Sequence, residues 1–577
     1  MTAWTASSGT PWPGKGASPP RPCAPSRETP CEEARVSVRQ EAARRAAGRR
    51  RRIAFAGLVA LATLGLVALG VHVLAGGGWT AVEGLLLLCF LLNAPWLGLS
   101  AATGLLGLVM RLRPPPPEPA PRGRSLPHTL LAVCVRDEAM EAVLPPLARL
   151  LEGLRRAGHG ERFAIGILSD TADPALAAAE EAAVRALAAT LPPDALRYRR
   201  RSENTGYKAG NVMDFLDHHA AGFELMILLD ADSEMTPEAV LRLVRAMAAS
   251  PRLAILQSPI IGRDAAAPFG RLFGAAHRVG GQTWTLGQAW WQGDEGPFWG
   301  HNAAIRIAPF RAHCRLDLLP DGSHILSHDH VEAARLHAAG RGVRVLTDPE
   351  AEEGSFEAHP PNLLAFLSRD RRWAAGNMQY RHLLRDPSLG AIGRFQMLQA
   401  ILHYLLSPLW FAMLPLAALN AATDGEGTPR GALLALLLLG YLALHLPRLA
   451  GHAALLLRGA PEGRAAHLRS ALSSSLFILL FEPITAFHNA LIILSHALGL
   501  HGRGWPAQQR EERRLGWRET ASRLWPHTLA GLAVLALLAA SGSGFVLALG
   551  LPTVAGLVLA IPFCVLTSVP DNGPERG

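Results

Sequence analysis

The apolar run "ELMILLDAD" ends on Asp230 and Asp232, two carboxylates one residue apart, and this is where chemistry first shows in the chain. The run reads as a buried strand that leads into a helix. Thr236 and Pro237 already give that helix an N-cap and a first-turn proline, so the carboxylates are not needed as caps. Carboxylate oxygens at a strand's mouth suit a hard divalent cation, Mg²⁺ or Mn²⁺, shared with substrate phosphates. A solvated turn is the plain alternative for this spacing. Asp170 closes a second such run, "FAIGILSD". Between the two lies "RRRSENTGYKAGNVMDF", which puts Lys208 and Asn211 at a helix start. Cations and backbone N–H groups there meet the needs of an anionic diphosphate. An ordinary basic surface loop would look the same.

Three further stretches carry reactive residue types. "GPFWGHNAAIR" sets His301 and Asn302 beside aromatics in a glycine-flanked loop. "LSHDHVEAARLHAAG" places Asp329 where a helix begins and Glu332 one turn on; an N-cap aspartate is the alternative. His328 and His330 flank Asp329, but a metal site there lacks a third convincing ligand. "LSRDRRWAAGN" gathers Arg369, Arg371 and Arg372 next to Trp373, a pattern that an amphipathic interfacial helix would also show.

Elements to position these residues follow from the pattern of apolar runs. Residues 129–135, 163–170, 224–230 and 252–258 read as strands, and helical patterns such as 175–190 and 236–249 separate several of them. Near-continuous apolar strands alternating with helices predict a mostly parallel sheet with helices on both faces. In such sheets ligands bind beyond the carboxyl ends of the strands, where Asp170, Asp230 and Asp232 fall.

That α/β domain, 125–395, sits between lipid-like segments. Residues 53–75 form a run of 23 without charge, long enough to span a bilayer. A transmembrane pair is expected over 53–112, followed by a stiff proline-rich linker at 113–124 and, after the domain, a membrane region over 396–570. Residues 1–52 read as a disordered basic tail and 571–577 as a short C-terminal tail. The cluster "RRAAGRRRR" stays cytoplasmic by the positive-inside rule, which places both termini and the α/β domain there. Basic loops on both sides of 470–500 predict an interfacial or re-entrant segment, with a polar crossing helix as the rival, and six spans in all. The net charge of +9 is thereby explained beside a lipid bilayer, and no nucleic-acid partner is expected. Six cysteines without paired spacing indicate neither zinc nor a disulfide framework.

Taken in order, Asp170, K-A-G-N at 208–211, D-A-D at 230–232, "FWGHNAAIR", "SHDHVEAA" and "RDRRW" resemble the membrane-embedded family 2 glycosyltransferases, the group containing cellulose and hyaluronan synthases. More closely they resemble the glucans biosynthesis glucosyltransferase H family, which makes osmoregulated periplasmic glucans in Gram-negative bacteria. The resemblance covers about 125 to 410 and includes "SPLWF" at 407–411. It implies a GT-A-like α/β domain inserted between transmembrane helices of the inner membrane. It implies an inverting transfer from UDP-glucose to a growing β-glucan, with a β-1,2 backbone, and a periplasmic glucan-processing protein as a candidate partner. Asp170 would contact the uridine, with Lys208 and Asn211 nearby. Asp232, supported by Asp230, would hold the metal on the diphosphate, and Asp329 would be the general base. Arg372 and Trp373 would grip the diphosphate and stack on the acceptor, with His301 and Asn302 on the acceptor side. The sequence departs from the wider group at Arg369, where glutamine is usual, at Ser327-His328-Asp329 in place of Thr-Glu-Asp, and at Asp137-Glu138. A cellulose-like synthase and a non-catalytic membrane scaffold are the alternatives.

Overall fold

The computed structural model describes residues 29–116, 125–349, 353–424, 427–460, 462–500 and 512–570. The expected tail before residue 29, the linker from 117 to 124 and the tail after 570 lie outside the described residues. Residues 1–50 and 51–577 are two units. Helix α1 (Thr29–Leu74) starts well ahead of the expected boundary, which corrects the disordered tail from Thr29 onward. The reason is local: Pro30 suits a first helical turn, and a stretch in which Glu, Ala and Arg predominate then runs to Gly48 without a proline.

In the second unit, α2 (Ala81–Leu112) opens with a capping box in which Thr80 and Glu83 satisfy each other's backbone N–H groups. The α/β domain then runs β1 (Thr129–Val135), α3 (Met140–Arg156), β2 (Phe163–Ser169), α4 (Pro174–Ala188), β3 (Leu196–Arg200), α5 (Tyr207–His218), β4 (Leu225–Asp230), β5 (Glu234–Met235) and α6 (Pro237–Ala249). It continues with β6 (Leu253–Gln257), β7 (Ile261–Gly262), α7 (Pro268–Gln292), β8 (Ala303–Arg306), α8 (Ile307–His313), α9 (Asp329–Ala338), β9 (Gly342–Val345), β10 (Ser355–Glu357) and α10 (Leu363–Gln379). The main sheet has the order β3-β2-β1-β4-β8-β6-β9 and is parallel except for β8, which runs antiparallel to both neighbours. A small sheet, β5-β10-β7, lies apart.

All four predicted strands are present, and the apolar character of each follows from burial on both faces. Leu131, Ile165, Ile227 and Leu243 belong to one core, under α3 and α6; Leu130, Met226, Phe215 and Leu336 belong to the other, under α5 and α9. This is the two-faced parallel sheet read from the sequence, with β8 as the exception.

The rest of the chain is helical: α11 (Ala391–Leu405), α12 (Ser407–Asp424), α13 (Arg430–Arg458), α14 (Arg464–Ala497), α15 (Trp517–Ala540), α16 (Gly544–Val558) and α17 (Ala560–Thr567). Six helical stretches among the described residues are long and apolar enough to cross a membrane, and α16 with α17 forms a further pair bent by 54°. The 470–500 segment is not interrupted. It belongs to α14, 34 residues long and continuous through Pro483, and by length and composition it qualifies as a span. One proline removes a single backbone hydrogen bond, too little to break a helix packed against α7, α12 and α16. A bend falls instead at Leu559, between α16 and α17.

Helix α7 joins the α/β domain to the apolar helices through close backbone approach. A Cβ on Gly107 of α2 would strike the Thr283 carbonyl, and one on Gly287 of α7 would strike the Thr103 carbonyl. Arg111 adds hydrogen bonds to Thr283 Oγ1 at 2.8 Å and Gln282 Oε1 at 3.0 Å. Small residues that let helices touch are a means of association in lipid, where apolar burial contributes little. Gly287→Leu should therefore part α7 from α2 and lower stability by about 1–3 kcal/mol. Thermal unfolding in detergent reads this, and an unchanged midpoint would refute the close-contact account.

Candidate active site

The site lies beyond the carboxyl ends of β2, β1 and β4. Asp170 follows β2 directly, and its N–H donates to the Val135 carbonyl at 2.9 Å. Its carboxylate is held by Arg201, Nε to Oδ1 at 2.7 Å and Nη2 to Oδ2 at 2.8 Å. Arg201 also donates to the carbonyls of Thr205 and Tyr207, so one guanidinium fixes both Asp170 and the loop that precedes α5. Such bidentate pairs are geometrically demanding and strong. The basic run at 199–201 was visible in the sequence, but the partner of Arg201 was not. Register gives the signal, since Ser169 pairs with Arg200 at the ends of adjacent parallel strands.

Lys208, in the first turn of α5, reaches Asp230 at the end of β4 and donates to the Gly300 carbonyl at 2.7 Å. Burial works against its charge, but Asp230 outweighs this, Asp329 adds to it, and its pKa is held above the ordinary lysine value. Ser233 ties the turn, its hydroxyl accepting from the Asp230 N–H at 3.1 Å and lying 3.2 Å from His301 Nδ1. Asp232 is 9% exposed. Glu357, in β10, joins these groups: its Oε2 is 3.9 Å from His301 Nε2. Burial raises the Glu357 pKa; His301 opposes that, while the charges of Asp232 and Asp230 reinforce it. No motif announces Glu357, which comes from a three-residue strand of the small sheet.

Two predicted residues serve the scaffold. Asn211 accepts from Arg199 at 2.8 Å and donates to the Leu168 carbonyl at 3.0 Å, which occupies both ends of its amide. Asn302 is fully buried and donates to Ser355 Oγ at 2.9 Å, so it braces the small sheet. His301 stands by the aspartate pair.

Asp329 opens α9 and meets Gly300 from the other side. Gly300 has φ of +89°, and a Cβ there would lie 2.7 Å from Asp329 Oδ1. His328 Nδ1 is 3.1 Å from Asp329 Oδ1 and 3.0 Å from Glu332 Oε2. Burial opposes the charge on His328, but Asp329 and Glu332 prevail and push its pKa up to about 9. The three side chains bring possible ligand atoms within 4.8 Å of one another. The third candidate ligand is thus Glu332, while His330 turns to Tyr380 at 3.5 Å.

Helix α10 carries the "RDRRW" residues. Asp370 accepts from Tyr404 of α11 at 2.9 Å, which pins α10 to the apolar region. Trp373 is 43% exposed, with the Arg369 guanidinium 4.5 Å over its ring. Arg369 is 8% exposed, and the charges of Glu357, Asp370 and Asp232 act on it. Arg372 is half-buried in the same helix.

Comparison with known proteins follows the same line. The profile described as glycosyl transferase family group 2 matches residues 225–458, and that of glycosyl transferase family 2 matches residues 132–314. A glucans biosynthesis glucosyltransferase H from Bradyrhizobium diazoefficiens is 33% identical, over 97% of this chain and 80% of its own length. The chain belongs to the glucans biosynthesis glucosyltransferase H family. Relatives of the same name from Rhodopseudomonas palustris and Xylella fastidiosa are 34% and 32% identical, covering 88% and 85% of this chain and 75% and 81% of their own. Among solved structures, mannosyltransferase PcManGT from Pyrobaculum calidifontis, in complex with GDP-Man and Mn2+, covers 72% of this chain and 100% of its own. Its TM-score is 0.40 and its identity 17%. By its family profiles, its relatives and its apolar helices, the chain is a family 2 hexosyltransferase with a GT-A-like domain and a multi-pass membrane protein.

Gly300 links the Lys208 side of this site to the Asp329 side. Gly300→Ala should push Asp329 out of place and lower kcat by about 10²-fold, the usual cost of roughly 1 Å of misplacement. Near-UV circular dichroism would establish that the variant is folded. Turnover equal to the parent would remove Gly300 from the account.

Proposed function

We propose that this glucosyltransferase uses UDP-glucose to extend a β-glucan, with β-1,2 linkages in its backbone, that becomes an osmoregulated periplasmic glucan. The observation that carries the reading is the convergence of Lys208 and Asp329 on Gly300, beside Asp230, Asp232 and Glu357. Donor chemistry needs cations and a metal at a diphosphate; acceptor chemistry needs a carboxylate opposite it. Both are within one residue's reach here.

The carboxylates of Asp232 and Asp230 would hold Mg²⁺ or Mn²⁺, with Glu357 beside them. Two carboxylates one residue apart at the mouth of β4, with the charge of Glu357 acting on both, suit a hard divalent cation that also takes phosphate oxygens. When bound, the metal offsets charge on the departing diphosphate. Lys208 holds Asp230 in place. Asp329 takes the proton of the acceptor hydroxyl as that oxygen bonds to C1. The bond from C1 to the phosphate oxygen breaks with its electron pair going to UDP, so an α-linked donor gives a β-linked product. Arg372 supports the diphosphate, and Trp373 offers its exposed face to the acceptor sugar.

The same reading places the α/β domain and both termini in the cytoplasm, with the chain in the inner membrane. Six crossings support it if α14 stays on the cytoplasmic side and α16 with α17 makes one bent span. Two features of α14 favour this. His467, near its start, contacts His452 of α13 at 3.1 Å, while Arg458 at the end of α13 donates to the Arg111 carbonyl at the end of α2. Near its other end, Ile492 and Ile493 pack with Tyr380 and Met397 beside the α/β domain. The glucan is handed to the periplasm along the apolar helices, where a processing protein is the partner.

Nanodisc-held protein given radiolabelled UDP-glucose and Mg²⁺ should form a glucan whose linkage analysis gives β-1,2. Asp329→Asn should reduce the rate by at least about 10²-fold, and EDTA should abolish transfer until Mg²⁺ or Mn²⁺ is restored. A β-1,4 product would transfer the reading to a cellulose-like synthase. Transfer untouched by Asp329→Asn would remove that residue as the base.

A further inference from the structure

Asp329 is not alone at the start of α9. His328, 8% exposed, lies between it and Glu332, which is 2% exposed. His328 Nδ1 is 3.1 Å from Asp329 Oδ1 and 3.0 Å from Glu332 Oε2, nearly midway. Neither contact is aligned as a hydrogen bond, so the ring leans on both carboxylates and is bound to neither alone. Ion-pair attraction needs no such alignment, and between buried groups salt screens it little.

A plain explanation exists for Glu332, since an acidic residue in a first helical turn meets the positive end of the helix dipole. That benefit is available at the surface, where the carboxylate keeps its water; burial only adds cost. Burial raises the Glu332 pKa, and the His328 charge opposes that. The other groups nearby are occupied. Cys314 Sγ donates to the Glu332 carbonyl at 3.7 Å, the Tyr380 hydroxyl lies 3.5 Å from His330, and Lys208 is committed to Asp230 and the Gly300 carbonyl. Among the described residues, His328 is the one cation that pairs with either carboxylate.

We propose that His328 and Glu332 are positioning residues for the base, the imidazole holding the Asp329 carboxylate against Gly300 and Glu332 holding the imidazole. This rests on the reading of Asp329 as the base given above and adds two residues to it. Contact at Oδ1 fixes the plane of the carboxylate and leaves Oδ2 as the oxygen that takes the acceptor proton. Burial works against the charge on His328, but the two carboxylates push its pKa up to about 9, so the ring is charged at neutral pH. The acceptor proton stays on Asp329 when the sugar is transferred. As the charge of Asp329 disappears, Glu332 keeps the imidazolium in place for the next turnover.

Transfer from UDP-glucose by the full-length protein in nanodiscs, with UDP binding measured in parallel, tests this. His328→Gln should lower kcat about tenfold or more, as a loosely held base does, and leave the KM for UDP-glucose and the UDP affinity unchanged. Glu332→Gln should lower kcat in the same way. In an Asp329→Asn background neither substitution should cost anything further, because groups that act as one unit are not additive. Full additivity there, or unchanged kcat in both single variants, would overturn the assignment. A fall in UDP affinity alongside kcat in both variants would also overturn it, by assigning the pair to folding. If Asp329→Asn leaves transfer intact, the base reading fails and the inference goes with it. If Asp329→Asn is slow while His328→Gln is not, the inference alone fails. A donor other than UDP-glucose changes only the donor reading, and the same comparisons are made with that donor and its nucleotide.

Discussion

A single carbonyl holds the two halves of the site together. The oxygen of Gly300 accepts from Lys208, which in turn restrains Asp230, and the bare Cα of the same residue gives Asp329 room to approach. Lys208 and Asp329 thus meet at one backbone position. Glycine suits that position, because its φ is left-handed and a Cβ there would displace the Asp329 carboxylate. Asn302 anchors the loop to the small sheet, and Ser233 closes the turn after β4 against His301.

Much of the framework was legible because burial on two faces leaves an unambiguous trace. The apolar runs at 129–135, 163–170, 224–230 and 252–258 had no other good reading, and each is a strand. Carboxylates at strand ends were equally clear. What stayed hidden depends on pairing between distant segments. Arg201 was one arginine among three until the register of β2 with β3 set it beside Asp170. Glu357 belongs to a strand too short to show a pattern. Asn211 and Asn302 sit in the expected places, but an amide has two ends, and composition does not tell whether those ends face a ligand or the scaffold.

In the membrane region, basic loops on both sides of 470–500 suggested an interfacial or re-entrant segment, and that segment is one continuous helix, α14, supported by three neighbouring helices. The true bend, between α16 and α17, has no charge to mark it. Hydropathy records how much apolar length exists. It does not record what that length leans on.

The reversal at β8 has one more consequence. Since β8 runs against β4 and β6, the loop before it arrives at the carboxyl ends of the parallel strands, where Gly300 and His301 are wanted. In an all-parallel sheet that loop would open on the opposite rim. Natural variation in the length of 293–302 is therefore constrained by chemistry, whereas the turn between α4 and the edge strand β3 lies at the far rim and can lengthen or shorten without reaching the reacting atoms. Family members should diverge in the second place and keep step in the first.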